Sequence, residues 1–491
     1  MADAVKKRGE IDIAYKWHIN DLMASDEIWK SQAQNLKDEM GSFSDYKNNF
    51  TDSAVSLLAC LNERNRLSHI LENLYVYANM KFHEDGSNPV YQGMADQAEN
   101  ILTRLSSTIS FVEPALLSLD EKTLADFIKD VPELEIYSHY FNNLLRRKEH
   151  ILSPELEETL ANAQELAAAP DSIFTMLNDA DMKFGVIKDE TGQEVELTHG
   201  RYGAMIESPD RDVRKNAFET MYAAYIKLKN TLAATYSASV KADHFFAQAR
   251  KYASVQESSL SRDNIPPEVY TNLIETVHEF LPYMHKYVNL RKKALKVDEL
   301  HMYDVYTPIV SGVNTECPFH TAKETVLKAL SVMGDDYTDA IKASYENGWI
   351  DVYENEGKHS GAYCWGAFGC HPFVLLNYAD KISDMFTLAH ELGHAMHSFY
   401  TWNTQPYMYG DHTIFLAEIA STVNEALLME YLRKTTTDKT MSKYLVNYFL
   451  EQFKGTVFRQ TMFAEFEMLA HKMSEEGEAL TSESLNTLYR G

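Results

Sequence analysis

Thr387-Leu-Ala-His390-Glu391-Leu-Gly-His394-Ala-Met-His397 carries the pattern H-E-x-x-H in a helical setting. At about 100° per residue, His390 and His394 fall about 40° apart on one face, one turn apart, so both imidazoles can reach one ion. Glu391 projects to the side of that face, where a carboxylate can reach an activated water without ligating the ion. Met385, Leu388, Leu392, Met396 and Phe399 recur at three- and four-residue steps and predict an opposite apolar stripe. A helix with one packed face and one imidazole face is what a zinc-peptidase site requires. The bland alternative, a buried helix that happens to carry histidines, is weakened by the acids that follow.

A hydrolytic zinc needs a third protein ligand and an open position. His397 shares the helix face but lies about 10.5 Å of axial rise from His390, too far to share the ion. It is expected beside the ligands rather than among them. His412, at an expected helix start after Gly410-Asp411, is less well defined. Glu418 and Glu425 fit better. They lie on a second helical stretch and share a face that Ser421 and Thr422 keep polar, while Phe415, Leu416, Ile419, Val423 and Leu427 face elsewhere. An isolated acidic pair is usually only a solvated surface. Coming one short loop after H-E-x-x-H, one acid can complete the site while the other holds a histidine in place. The reading assigns Glu418 as ligand and Glu425 as support, although spacing alone does not separate them.

The rest of the composition sets bounds. At 491 residues the chain has room for about three domains, or for two lobes. Its 46 basic against 72 acidic side chains give a formal charge of −26, a field that repels phosphate backbones and anionic lipid, so nucleic acid and membrane are not expected partners. Cys60, Cys317, Cys364 and Cys370 are too few and too scattered for a disulfide framework, which predicts reduced, structural thiols. Met1-Ala-Asp-Ala-Val-Lys-Lys-Arg8 has no apolar core behind its basic residues, so no signal peptide is expected, and no apolar run approaches about 18 residues. The expected compartment is the cytosol.

Along the chain, Ser25 is expected to cap a helix from Asp26 to about Met40, and helical periodicity resumes from Ser53 to about Lys81. Tyr91 to Leu119 and Glu135 to Arg147 continue it, and Ser153-Pro154 opens a helix ending before Pro170. Met182 to Lys188 and Gln193 to Thr198 read as a hairpin around Asp189-Glu-Thr-Gly192. Ser208-Pro209 then opens a helix to about Tyr252, and Pro266-Pro267 opens another to about Leu295. Trp349 to Tyr353, Gly361 to Gly366 and Pro372 to Tyr378 are the strand-like runs that precede the histidine helix. A small sheet there can bind an extended peptide along an edge, with Gly361, Ala362 and Tyr363 as its contacts.

Gly361-Ala-Tyr-Cys-Trp-Gly366, His371-Pro-Phe-Val-Leu-Leu-Asn-Tyr378, Phe386 to Ser398, Asn403 to Asp411 and Ala417 to Leu427 resemble the oligoendopeptidase F branch of the thimet-oligopeptidase-like metallopeptidases. Weaker resemblance runs through Leu300 to Tyr306 and back to Tyr15 to Leu22, covering essentially the whole chain. The resemblance implies a mainly α, two-lobed zincin-type enzyme with a deep channel and a small sheet beside the H-E-x-x-H helix. It implies cleavage of internal bonds in short oligopeptides, one Zn2+ held by His390, His394 and Glu418, and Glu391 as general base. On this pattern the expected regions are an N-terminal helical region at 1–110, an oligopeptidase F-type N-terminal domain at 111–200 and the catalytic domain at 201–491. Members of the family continue past the point matching Gly491, with helices, a histidine and tyrosines that bind the carbonyl oxygen in the transition state. The expectation is therefore a chain lacking that segment, or one completed by a partner chain. Its alternative function is a homologue that binds zinc and peptide but turns over poorly.

Overall fold

A computed structural model describes residues 6–310, 313 and 315–491. The chain is mainly helical and divides into two compact units, each made of two stretches: Met1–Arg146 with Asn314–Thr436, and Arg147–Val313 with Thr437–Gly491. All the residues singled out above for metal, base and peptide belong to the first unit.

In that unit Ser25 and Ser53 cap the helices Asp26–Glu39 and Ala54–Glu84, their hydroxyls accepting from the amides of Ile28 (3.3 Å) and Ser56 (3.2 Å). The run expected from Tyr91 to Leu119 is broken into Pro89–Ile109 and Val112–Ser118. At the break the Ser110 hydroxyl donates to the Ser107 carbonyl (2.8 Å), a local bond that competes with helix continuation.

The sheet has three short strands in the order Ile350–Asp351, Phe373–Leu375, Tyr363–Trp365; the first pair is parallel and the second antiparallel. The N-terminal arm runs along the outer side of Ile350–Asp351. Val352 N donates to Tyr15 O (2.9 Å) and His18 N to Gly348 O (2.6 Å). Gly348 has φ +66°, and a Cβ there would stand 2.3 Å from the His18 ring, so only glycine fits. Trp17 Nε1 donates to Glu84 Oε1 (2.5 Å), while Arg8 pairs with both Glu84 and Asp351. Lys358, its side chain fully covered, reaches Asp351 Oδ1 at 2.7 Å from the same cluster. Tyr363–Trp365 is therefore the strand whose outer edge the arm does not cover. Val374 N donates to Trp349 O (2.8 Å), so Phe373 and Leu375 turn their backbones the other way, towards their partners Trp365 and Tyr363. By alternation the amide and carbonyl of Cys364 point to the open edge.

In the second unit the hairpin pairs Val186–Lys188 with Glu194–Glu196, and Gly192 takes φ +83° in its turn. Three expectations change. The helix from Pro154 runs through Pro170 to Thr175, and Ser153 makes no cap bond; Glu157 Oε1 accepts from Leu152 N instead (2.9 Å). Proline at 170 deprives the Leu166 carbonyl of its partner, but Leu166 is 79% exposed, so water can replace it. The helix expected from Ser208 to Tyr252 is two, Arg211–Lys227 and Lys229–Ala249, broken at Leu228 and capped by Asp210 rather than Ser208. Pro267–Leu295 is as expected.

Asp304 is fully buried between Arg211 (2.8 Å) and Arg214 (2.8 Å). Burial opposes its charge, but hydrogen bonds from the two guanidinium groups outweigh this and hold the carboxyl at about 2. A folded-state value below the unfolded one contributes stability above about pH 4 that is lost as pH falls towards the folded value. The melting temperature should therefore fall between those limits. Asp304→Asn should be less stable at pH 7, with Arg214 left buried without its countercharge, yet lose less on acidification. Parallel Tm-against-pH curves for the two proteins would remove this role from Asp304.

Candidate metal and peptide site

The helix Ile382–Thr404 buries Met385, Leu388, Leu392 and Met396, the stripe predicted from spacing, with Phe399 only partly covered. Fully burying each such side chain is worth about 1.5–3 kcal/mol, which anchors the helix and leaves its other face to the histidines. Loop residues 405–416 lead to the helix Ala417–Thr435, and Trp402 Nε1 donating to Gly410 O (2.9 Å) ties the loop back.

The two helices touch at Gly393. A Cβ there would lie 2.5 Å from Ser421 Cα and 2.6 Å from Ala420 O, so no larger residue permits this approach. Buried Asn424 fastens the contact, its Nδ2 donating to Ala389 O (3.1 Å) and its Oδ1 accepting from Tyr337 Oη (2.8 Å). Neither residue stood out in the sequence reading. Gly393 did leave a signal, since glycine inside a helix costs about 1 kcal/mol against alanine and invites a packing explanation.

The crossing brings the acids to the histidines. His390 Nε2 and His394 Nε2 lie 3.2 Å apart, and Glu418 Oε2 lies 3.3 Å from the first and 3.5 Å from the second. Tetrahedral ligands about 2.0–2.1 Å from a zinc ion stand roughly 3.3–3.4 Å apart, so this triangle fits the ion's first three ligands. The chemistry fits as well. His390 Nδ1 donates to Glu425 Oε1 (2.6 Å), which fixes the tautomer with a bare Nε2 turned towards His394 and Glu418. Ser421 Oγ donates to Glu418 Oε2 (2.8 Å) and steadies that carboxylate. Burial alone would lower the His390 pKa, but the Glu425 hydrogen bond and the charges of Glu391, Glu425 and Glu418 raise it.

Glu391 is 6% exposed, outside the triangle but beside it. Burial pushes its carboxyl up to about 7; the His390 charge opposes this, while those of Glu418 and Glu425 add to it. His397 stacks on His412 with ring centroids 4.0 Å apart, and its buried Nδ1 has no hydrogen-bond partner among the described residues. Gly361 and Ala362 lead into the open-edge strand, and Tyr363 begins it. The Gly361 carbonyl accepts from Asn377 Nδ2 (2.8 Å), and Tyr363 Oη is hydrogen-bonded to His83 Nδ1 (2.7 Å), a partner the sequence did not reveal.

Comparison with known proteins agrees with this arrangement. A family model described as Peptidase family M3 matches residues 204–491, and one described as Oligopeptidase F matches residues 116–184. The chain is 43% identical over 488 residues to Oligopeptidase PepF of Bacillus subtilis (strain 168), across 99% of this chain and 73% of that protein. It is 40% identical over 487 residues to the chromosomal Oligoendopeptidase F of Lactococcus lactis subsp. cremoris, across 99% and 81% of the two. The crystal structure of oligoendopeptidase-F from Enterococcus faecium matches with a TM-score of 0.71 at 36% identity, covering 95% of this chain and 80% of that one. The chain thus belongs to peptidase family M3, as a metalloendopeptidase of its oligoendopeptidase F branch.

Proposed function

We propose that this chain hydrolyses internal bonds of short oligopeptides, with one zinc ion held by His390, His394 and Glu418. The observation that carries the reading is the triangle of Nε2, Nε2 and Oε2 atoms with sides of 3.2, 3.3 and 3.5 Å. When bound, zinc would supply Lewis-acid polarisation of the scissile carbonyl and make a water acidic enough to attack near neutral pH. Glu391 takes the proton of the attacking water and delivers it to the leaving amine. Burial pushes its carboxyl up to about 7, which suits both halves of that task. Glu425 holds the His390 ring in orientation through Nδ1.

The peptide lies extended beside Ala362, Tyr363 and Cys364 and exchanges backbone hydrogen bonds with Cys364 at the open edge, which orients it without reading its side chains. A cytosolic setting belongs to the same reading. It is supported by four free cysteines, and among the described residues no helix is long and apolar enough to cross a membrane. The test is chelator-sensitive cleavage of quenched peptides of graded length. Zinc and peptide binding without turnover would favour the impaired homologue instead.

The two acids make different predictions. Glu418→Ala should weaken zinc binding more than Glu425→Ala, whose loss is expected to cost about 10–100-fold while all three ligands remain. A zinc titration of both variants gives the order, and the reverse order would exchange their roles.

A further inference from the structure

A cavity of about 350 Å3 opens beside the open-edge strand, in the same compact unit. Its walls are mostly apolar or aromatic: Leu71 and Tyr75 from the helix Ala54–Glu84, Leu102, Leu105 and Ile109 from the helix Pro89–Ile109, and Trp365 from the strand itself. Glu72 is the acidic group on the wall, and it is already engaged, its Oε1 accepting from Phe368 N (3.0 Å). With that oxygen already bonded and the rest of the lining mostly apolar, the cavity offers little to a basic guest.

Strand geometry connects this cavity to the peptide line. Tyr363 and Trp365 project from one face of the strand and Cys364 from the other. On the first face the Trp365 ring meets Tyr75 edge-on at 6.1 Å, and Tyr363 meets His83; both partners belong to the helix Ala54–Glu84 that walls the cavity. The strand also packs on the helix Ile382–Thr404, which carries Glu391, and Cys364 projects from the second face. A peptide residue bonded to the Cys364 backbone therefore turns its side chain to the Glu391 side. The residues before and after it turn theirs to the Trp365 side, where the cavity is.

We propose that this cavity is a specificity pocket, filled by a large aliphatic or aromatic side chain of a peptide residue flanking the one paired with Cys364. The inference rests on the peptidase reading above, but it adds something that reading does not require: a preference at one substrate position, set by side chains far in sequence from H-E-x-x-H.

The experiment uses one quenched peptide series in which alanine, leucine, phenylalanine or lysine is placed at each position in turn. The intact chain should cleave the peptide with phenylalanine or leucine at one position about tenfold or more faster, in kcat/KM, than the all-alanine peptide, with lysine there giving no gain. Ser106 stands exposed on the rim of the cavity, so Ser106→Trp should block the mouth without disturbing the core. It should erase the gain at that position, so that the phenylalanine and all-alanine peptides are cleaved with similar kcat/KM. Ile109→Trp, in the wall itself, should erase the gain as well. A gain that survives both substitutions, the absence of any position-dependent gain, or a preference for lysine would overturn the pocket while leaving the peptidase reading intact. Failure of the intact, zinc-loaded chain to cleave any peptide would overturn that reading, and the pocket with it.

Discussion

Glu391→Gln should keep its zinc and lose at least two orders of magnitude in kcat. The amide occupies nearly the same volume at a site that is 6% exposed, so packing against the neighbouring helix is preserved. Glu391 is not among the three atoms of the metal triangle, so ion affinity has no direct reason to fall. What disappears is a group that can hold a proton between attack and departure of the amine, an effect worth about 10²–10⁴ in rate. KM should change far less than kcat, because in the proposed role the residue acts on the reacting atoms rather than on the peptide's remote parts. The check is kcat and KM on one quenched peptide beside zinc content by metal analysis. Turnover at the unmodified rate would take the role of base away from Glu391.

His390→Ala should lose stoichiometric zinc. Structural zinc sites with four protein ligands bind with roughly 10–16 kcal/mol, so a single ligand represents about 2.5–4 kcal/mol, or about 10²–10³ in affinity. The loss at His390 is compounded, because its Nδ1 is the hydrogen-bond partner of Glu425 and its Nε2 touches both other ligands. Glu425 would then lose the imidazole it bonds through Nδ1, leaving its negative charge beside those of Glu391 and Glu418 with one cationisable ring fewer. Dialysed protein should retain about one zinc per chain when intact and close to none when substituted, with far-ultraviolet dichroism unchanged. A variant that still held one tight zinc at this site would remove His390 from the ligand set. His394→Ala should behave alike, since its Nε2 completes the same triangle.

The parts of the site that were legible in the sequence are those set by helical period. His390 and His394 are four positions apart and Glu418 and Glu425 seven, and such spacings fix a face wherever the helix is docked. The apolar stripe from Met385 to Met396 was legible for the same reason. What period does not contain is how two helices approach. The meeting of Glu418 with two imidazoles depends on Gly393 against Ser421 and on Asn424 against Ala389, contacts between segments joined by a loop. Helix ends were legible where a side chain caps them, as at Ser25 and Ser53. They were misread at Pro170, where the helix runs on through the proline, and at Ser208, where Asp210 rather than the serine caps the helix. The two-part composition of each compact unit was the least legible feature. It arises from contacts between residues hundreds of positions apart, such as Arg8 with Asp351.

The N-terminal arm has a consequence for the company this protein keeps. A peptidase meets loose, strand-competent chains as its ordinary clients, and any uncovered sheet edge is an invitation to them. By running along Ile350–Asp351, the arm occupies the edge that faces away from the chemistry, leaving the Cys364 side for visitors. On the proposed peptide path, an extended client that adds to the sheet is steered to the edge where it would be cut, and one that would merely accumulate finds the other edge taken. A proteolytic nick that released residues 6–18 would make the sheet two-sided, and the first symptom would be sticking rather than lost hydrolysis.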